Sequence, residues 1–208
     1  GEQRIEWWRS DDDGASWSRV RTTIVPVNAT ADTYTIAATA STDHHALLRA
    51  RLCAVPRTAT PGVIGELHAL GCGGAVIYAA GFAESGDHSV QQALLAAAAG
   101  MPLLGPNCYG FINAASRVAL WPDEHGLLPL DRGVAIVTQS GNIGCNLTML
   151  QRGLPIAVLL TLGNQADVDI AEAVEALALD SRITAIGLHI EGLRDVAAFA
   201  KAAALARE

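Results

Sequence analysis

Val134-Ala-Ile-Val-Thr-Gln-Ser140-Gly-Asn-Ile-Gly144 is an apolar run that ends in a small polar turn, with a helical pattern starting immediately after it. The run reads as a buried parallel strand. Ser140 stands where a helix N-cap belongs, Ile143, Leu147 and Leu150 share one helix face, and Gly153 and Pro155 supply stop signals. A strand, tight turn and helix in this order leave free backbone N–H groups at 141 to 143, reinforced by about half a positive charge from the helix dipole. Such a turn suits a phosphate, although Gln-Ser-Gly on its own is equally a plain helix cap.

The same alternation continues on both sides. Downstream, the pattern predicts strands at 156 to 161 and 183 to 190 and helices at 141 to 152, 169 to 179 and 194 to 206, with Asp169 and Glu172 at capping-box spacing. Upstream, Thr60-Pro61 opens a short helix reaching Gly71, and 74 to 79 reads as a buried strand. Ser89 and Gln92 have capping-box spacing before an alanine- and leucine-rich helix that stops at Gly100 and Pro102. Strands alternating with helices imply α/β architecture around parallel sheets, and ligands in such sheets bind beyond the strand carboxyl ends. Residues 118 to 126 read as a segment crossing between domains, and Pro129, Asp131 and Gly133 punctuate the boundary.

Composition narrows the partners. A chain of 208 residues that is 50% hydrophobic and 17% charged can bury a core, and a net charge of −7 with scattered cations excludes a nucleic-acid footprint. No run approaches a membrane span, and the stretch from Gly1 onward carries no apolar targeting segment, so a cytoplasmic protein with no membrane partner is expected. Cys53, Cys72, Cys108 and Cys145 lack metal-site and disulfide spacing. The six histidines show no metal-ligand spacing, and no metal site is expected.

Gly105-Pro-Asn-Cys108-Tyr-Gly110, Gln139-Ser140-Gly141, Leu162-Gly-Asn164-Gln-Ala-Asp167 and Glu191-Gly192, in this order and spacing, resemble the NDP-forming acyl-CoA synthetases and the related succinyl-CoA synthetase alpha subunit. The likeness covers residues 54 to 208. It implies the C-terminal half of a Rossmann-like coenzyme A-binding domain at 54 to 130, then a flavodoxin-like ligase domain at 131 to 208. The family interconverts acyl-CoA, phosphate and ADP with acid, coenzyme A and ATP, through an acyl phosphate and a phosphohistidine. By resemblance, Gln139, Ser140, Gly141 and Asn142 bind phosphate, Glu191 is the catalytic carboxylate that steadies the histidine, and Asn164 and Asp167 line the cleft. Gly81, Phe82, Asn107 and Cys108 are implied to bind coenzyme A. A small core residue is the competing reading of Cys108.

The resemblance implies coenzyme A, and ATP or ADP with Mg held by an ATP-grasp domain or subunit, as partners besides acyl-CoA or a carboxylic acid. The chain reaches Glu208 before the family's histidine loop, so it is expected not to complete the reaction alone. His189 shares a strand face with Glu191 but is expected to be a core or cleft-edge residue, not the phosphorylated one.

Residues 1 to 53 follow another pattern. Asp13-Gly14 between Arg4-Ile-Glu-Trp-Trp-Arg9 and Ala15-Ser-Trp-Ser-Arg-Val20 signals a hairpin. Residues 33 to 36 and 46 to 52 are further strand candidates, and the segment loosely resembles bacterial immunoglobulin-like strands around Asp43 and Ala46. No glycine-rich nucleotide turn is found there. A fusion, an altered or fragmentary segment, or a diverged domain all fit this, and a non-enzymatic coenzyme A-binding or interaction module is the alternative to an enzyme fragment.

Overall fold

The computed structural model describes residues 2 to 9, 18 to 26, 56 to 150 and 152 to 207. The chain forms two compact units, residues 1 to 56 and 57 to 208. In the first, β1 (Glu2–Arg9) and β2 (Ser18–Pro26) pair antiparallel, with a register shift between Trp7 and Trp8. This is the pairing that the Asp13-Gly14 signal predicts. The turn itself, and the candidates at 33 to 36 and 46 to 52, lie outside the described residues.

The second unit begins with α1 (Thr60–Ala69), β3 (Ala75–Val76), α2 (Ser89–Ala98) and β4 (Leu103–Leu104), where β3 and β4 are parallel. Ile64, Ile77, Phe82, Leu94, Met101 and Leu103 bury one core between them. Two helix starts differ from the sequence reading. Ala59 caps α1, and His88, not Ser89, caps α2, because the Ser89 hydroxyl and N–H are held by Asp87 at 2.6 and 3.0 Å.

A five-stranded sheet follows, in the order β6-β5-β8-β7-β9. Its strands are β5 (Phe111–Asn113), β6 (Val118–Leu120), β7 (Gly133–Thr138), β8 (Ile156–Thr161) and β9 (Ile183–His189). Strands β8, β7 and β9 are parallel, as the alternation of strands with helices predicts. Strands β5 and β6 run antiparallel and add to the β8 edge, with Ile112 opposite Leu159. Residues 118 to 120 are therefore a strand of this sheet and not a crossing segment. The hairpin docks on a strand some fifty residues further along the chain, and a local hydrophobic pattern cannot report that.

The connecting helices are α3 (Gly141–Thr148), α4 (Ile170–Ala178) and α5 (Val196–Leu205). Asp169 caps α4 in a complete capping box with Glu172, and Asp195 caps α5 by accepting from Ala197 and Ala198. Val137, Leu162, Ile170, Val174 and Ala202 form the core under α4 and α5. Among the described residues no helix is long and apolar enough to cross a membrane.

Candidate functional site

Strand β7 ends with Thr138 and Gln139 buried, and Ser140 turns the chain into α3. Ser140 is extended, at φ −87° and ψ 119°, which lets its hydroxyl accept the Ile143 N–H at 3.3 Å while its carbonyl accepts the Gly144 N–H at 3.1 Å. The Ile143 N–H, expected to be free, is thus taken by the cap. Among the described residues no protein acceptor reaches the N–H groups of Gly141 and Asn142. The Tyr109 ring packs directly over Gly141, so a Cβ there would meet its Cδ2, with Cε2 at 3.1 Å. Tyr109 leans on Trp121 at 5.4 Å between ring centroids, and its N–H donates to Thr161 Oγ1 at 2.8 Å.

Strand β9 brings Glu191 beside this turn, by a route that sequence reasoning missed. The Gln139 side chain, expected to bind phosphate, is spent on the backbone beyond β9. Its Oε1 accepts the N–H groups of Glu191 and Gly192 at 2.8 and 2.9 Å, and its Nε2 donates to the Gly192 carbonyl. Gln165 adds a second amide to that carbonyl at 3.4 Å and accepts the Ile170 N–H at 3.0 Å. Buried Gln139 therefore pins the backbone of Glu191 and Gly192, buried Gln165 adds to the hold on Gly192, and Glu191 itself stays exposed. His189 contacts Thr138 Oγ1 at 3.2 Å, and the same oxygen accepts the Ser140 N–H at 3.0 Å, which places His189 at the cleft edge.

The loops after β4 and β8 are sewn together. Asn164 N donates to Pro106 O and Ala166 N to Gly105 O, each at 2.9 Å, and Asn107 N donates to Ala79 O at 2.9 Å. Gly163 makes this approach possible: at φ +54° it has no room for a Cβ, which would meet the carbonyls of Pro106 and Asn107. Asn107 is exposed, at φ +58°. Asp167, expected to line the cleft, instead accepts the Leu103 N–H at 2.8 Å and so holds the edge of β4.

Three of the residues implied to bind coenzyme A have other work. Phe82 is fully buried in the core. The Gly81 N–H donates to Glu84 Oε1 at 2.5 Å, and its carbonyl accepts from Arg57 and Ser85. Cys108 is 3% exposed, and its thiol lies against the carbonyls of Ile77 and Leu104 at 3.5 and 3.6 Å. Burial pushes that thiol up to about 11. It is a core residue and not a nucleophile. Because the folded-state value lies above the ordinary value of 9.0, folding favours the protonated thiol: its contribution is complete below pH 9 and is lost as pH climbs to about 11. The expected result is that iodoacetamide at pH 8 labels the half-exposed Cys72 and Cys145 in the native chain and spares Cys108. Cys108 labelled as fast as the other two would contradict this placement.

A groove of about 700 Å³ also runs between α4 and α5, but Asp169, Glu172, Glu175 and Asp195 outnumber Arg194 and Lys201 on its walls. That charge balance repels a phosphorylated ligand.

A mixed sheet with a capped turn at the end of β7, stitched to a smaller parallel pair, is an α/β layout in which ligands lie beyond the strand carboxyl ends. Residues 131–208 match the succinyl-CoA ligase like flavodoxin domain, and residues 15–114 match a CoA binding domain. The chain belongs to the NDP-forming acyl-CoA synthetase family. The second match also takes in residues 15 to 53, the stretch with a loose likeness to immunoglobulin-like strands.

A trans-feruloyl-CoA synthase from an unknown prokaryotic organism is 35% identical over 159 residues, 72% of this chain and 22% of that protein. The alpha subunit of an ADP-forming acetate–CoA ligase II from Pyrococcus furiosus is 30% identical over 148 residues, 68% of this chain and 32% of that subunit. A dinucleotide forming acetyl-coenzyme A synthetase 1 from Ca. Korarchaeum cryptofilum, in complex with phosphate and ADP, superposes with a TM-score of 0.66 at 27% identity, over 74% of this chain and 34% of that one. The chain thus spans about a fifth to a third of the length of these relatives.

Proposed function

We propose that this chain is the part of an NDP-forming acyl-CoA synthetase in which acyl-CoA and phosphate meet. The enzyme would interconvert acyl-CoA, ADP and phosphate with acid, coenzyme A and ATP, by way of an acyl phosphate and a phosphohistidine, with an ATP-grasp domain or subunit as partner. The carrying observation is the pair of N–H groups at Gly141 and Asn142, which among the described residues lack protein acceptors and lie at a strand carboxyl end beside the pinned Glu191. Similarity to a structure in complex with phosphate and ADP supports the reading. The division at 54 to 130 and 131 to 208 and a cytoplasmic location belong to the same proposal.

In this scheme the two N–H groups hold the phosphoryl oxygens and stabilise charge as it gathers there. Glu191 would accept from one nitrogen of the histidine, orient its ring and raise the basicity of the other nitrogen. Coenzyme A would supply the thioester that phosphate cleaves. Its uncharged end fits the rim at Asn107, which offers a neutral amide. The diphosphate fits that rim poorly, because Arg57 is committed to Gly81, Ser85 and, at 3.9 Å, Asp87. Among the described residues no three or more His, Cys, Asp or Glu side chains are grouped to hold a metal ion, and in this scheme Mg accompanies the nucleotide on the ATP-grasp partner.

Phosphate titration followed by backbone amide shifts tests the anion turn. Gly141 and Asn142 should move first, with weak binding, since an exposed helix start contributes about 0.3 to 1 kcal/mol. Ser140→Ala should cost about 1 kcal/mol of stability through the lost cap and leave the fold intact. Shifts confined to other regions would mean that Gln139-Ser140-Gly141 is only a helix cap.

A further inference from the structure

Glu84, in the turn after β3, reaches Asn164 in the loop after β8 and carries no role so far. Its Oε1 accepts the Gly81 N–H at 2.5 Å, and its Oε2 accepts from Asn164 Nδ2. Asn164 Oδ1 in turn takes Asn107 Nδ2 at 3.5 Å. The backbones at both asparagines are already fixed, through Asn164 N to Pro106 O and Asn107 N to Ala79 O, so the main freedom left to each is which end of its amide faces which neighbour. A carboxylate only accepts, whereas an amide has a donor end and an acceptor end. Glu84 must therefore face the NH2 of Asn164, which turns the Asn164 carbonyl toward Asn107. That carbonyl in turn requires the NH2 of Asn107. The Asn107 carbonyl is left for the cleft, and among the described residues no protein donor reaches it.

We propose that Glu84 is a positioning residue: through Asn164 it fixes Asn107 with its carbonyl outward, so that this rim binds an uncharged N–H donor of the secondary-amide class. Resting on the coenzyme A reading above, the donor is a secondary amide of the pantetheine arm. Neither Glu84 nor Asn164 touches the ligand in this scheme. Their effect is to set the polarity of the one group that does.

The polarity argument makes a prediction that a purely structural role does not. Glu84→Gln can still accept from Gly81 but now offers an NH2 to Asn164, so both asparagine amides should reverse and Asn107 should present a donor to a donor. Adding Asn164→Asp repairs the chain, because a carboxylate at position 164 can accept at once from the new amide at position 84 and from Asn107. The pair of changes also restores the original net charge. Pantetheine is the probe, since it is neutral and insensitive to the charge lost in the single variant.

With the whole 15N-labelled chain, Glu84→Gln should shift the side-chain NH2 signals of Asn107 and Asn164 while the backbone amides of 163 to 166 hold still. Pantetheine affinity should fall about tenfold, a loss of roughly 1.4 kcal/mol. The double variant should return the Asn107 NH2 signal and the affinity to near the original values. Asparagine signals that ignore Glu84→Gln, or a double variant that binds no better than the single one, overturn the relay. Signals that respond and recover in a chain that binds no pantetheine overturn the ligand assignment and the coenzyme A reading while leaving the relay in place. Should Glu84→Gln fail to fold, the same NH2 signals read in Asn164→Ser decide: an Asn107 signal that does not move contradicts the coupling.

Discussion

Gly163→Ala should lose about 3 kcal/mol or more of stability and separate the two loops that frame the cleft. The residue sits at φ +54°, where a non-glycine side chain already costs roughly 1 kcal/mol. The larger effect is steric. An added Cβ would run into the Pro106 carbonyl and lie 2.6 Å from the Asn107 carbonyl, both backbone atoms that cannot rotate away as a flexible side chain would. Relief requires moving 105 to 107 outward, which breaks the bonds from Asn164 N to Pro106 O and from Ala166 N to Gly105 O. Each net hydrogen bond contributes about 0.5 to 1.5 kcal/mol. Urea unfolding of the two proteins measures the loss, and hydrogen exchange at Asn164 and Ala166 locates it. Gly86→Ala is the control, because at φ +82° it meets nothing within 4 Å and should show the conformational cost alone. A Gly163→Ala chain no less stable than that control would mean that the loops are not in contact.

The contrast between these two glycines shows which parts of the molecule could be read from its sequence. Strands β7, β8 and β9, helices α3, α4 and α5, the Ser140 cap and the Asp169 capping box all follow from local periodicity and from residue types that act over three or four positions. Gly86 and Gly163 look alike in such a reading, since the difference is a carbonyl more than fifty residues away. The β5–β6 hairpin on the β8 edge is hidden for the same reason.

The candidate site divides along that line too. Ser140, Gly141 and Glu191 lie at strand ends that the alternation identifies, and the motifs name them. What Gln139 and Glu84 do depends on partners 52 and 80 residues away, respectively. Cys108 and Phe82 stand within motifs that suggest ligand contact, yet their side chains fill the core. A motif marks where the backbone passes the cleft, and burial decides which of its side chains face it.

Gln139→Leu should cost about 2 to 3 kcal/mol and uncouple Glu191 from the anion turn. Leucine matches glutamine in volume well enough to fill the site, which is buried to 6% exposure, so cavity formation is a minor part of the effect. The main part is polar. The substitution removes the acceptor of the Glu191 and Gly192 N–H groups and one of two donors to the Gly192 carbonyl. A fully buried orphan costs about 1 to 3 kcal/mol, but residues 191 and 192 are exposed enough for water to replace part of each bond, which keeps the sum near the lower end. Gln139→Glu separates the two halves of the clamp. It keeps an acceptor for both N–H groups and sets a second oxygen against the Gly192 carbonyl, so it should fall between the wild type and Gln139→Leu at neutral pH. Denaturant unfolding ranks the three proteins, and amide exchange at Glu191 and Gly192 shows whether the loss is local. The functional consequence appears under phosphate titration: Gly141 and Asn142 should still shift in Gln139→Leu, because their N–H groups do not depend on the glutamine, whereas any accompanying shift at Glu191 should vanish. A Glu191 response that survives the loss of Gln139 would show that the carboxylate senses the anion through space, and that Gln139 is packing and nothing more.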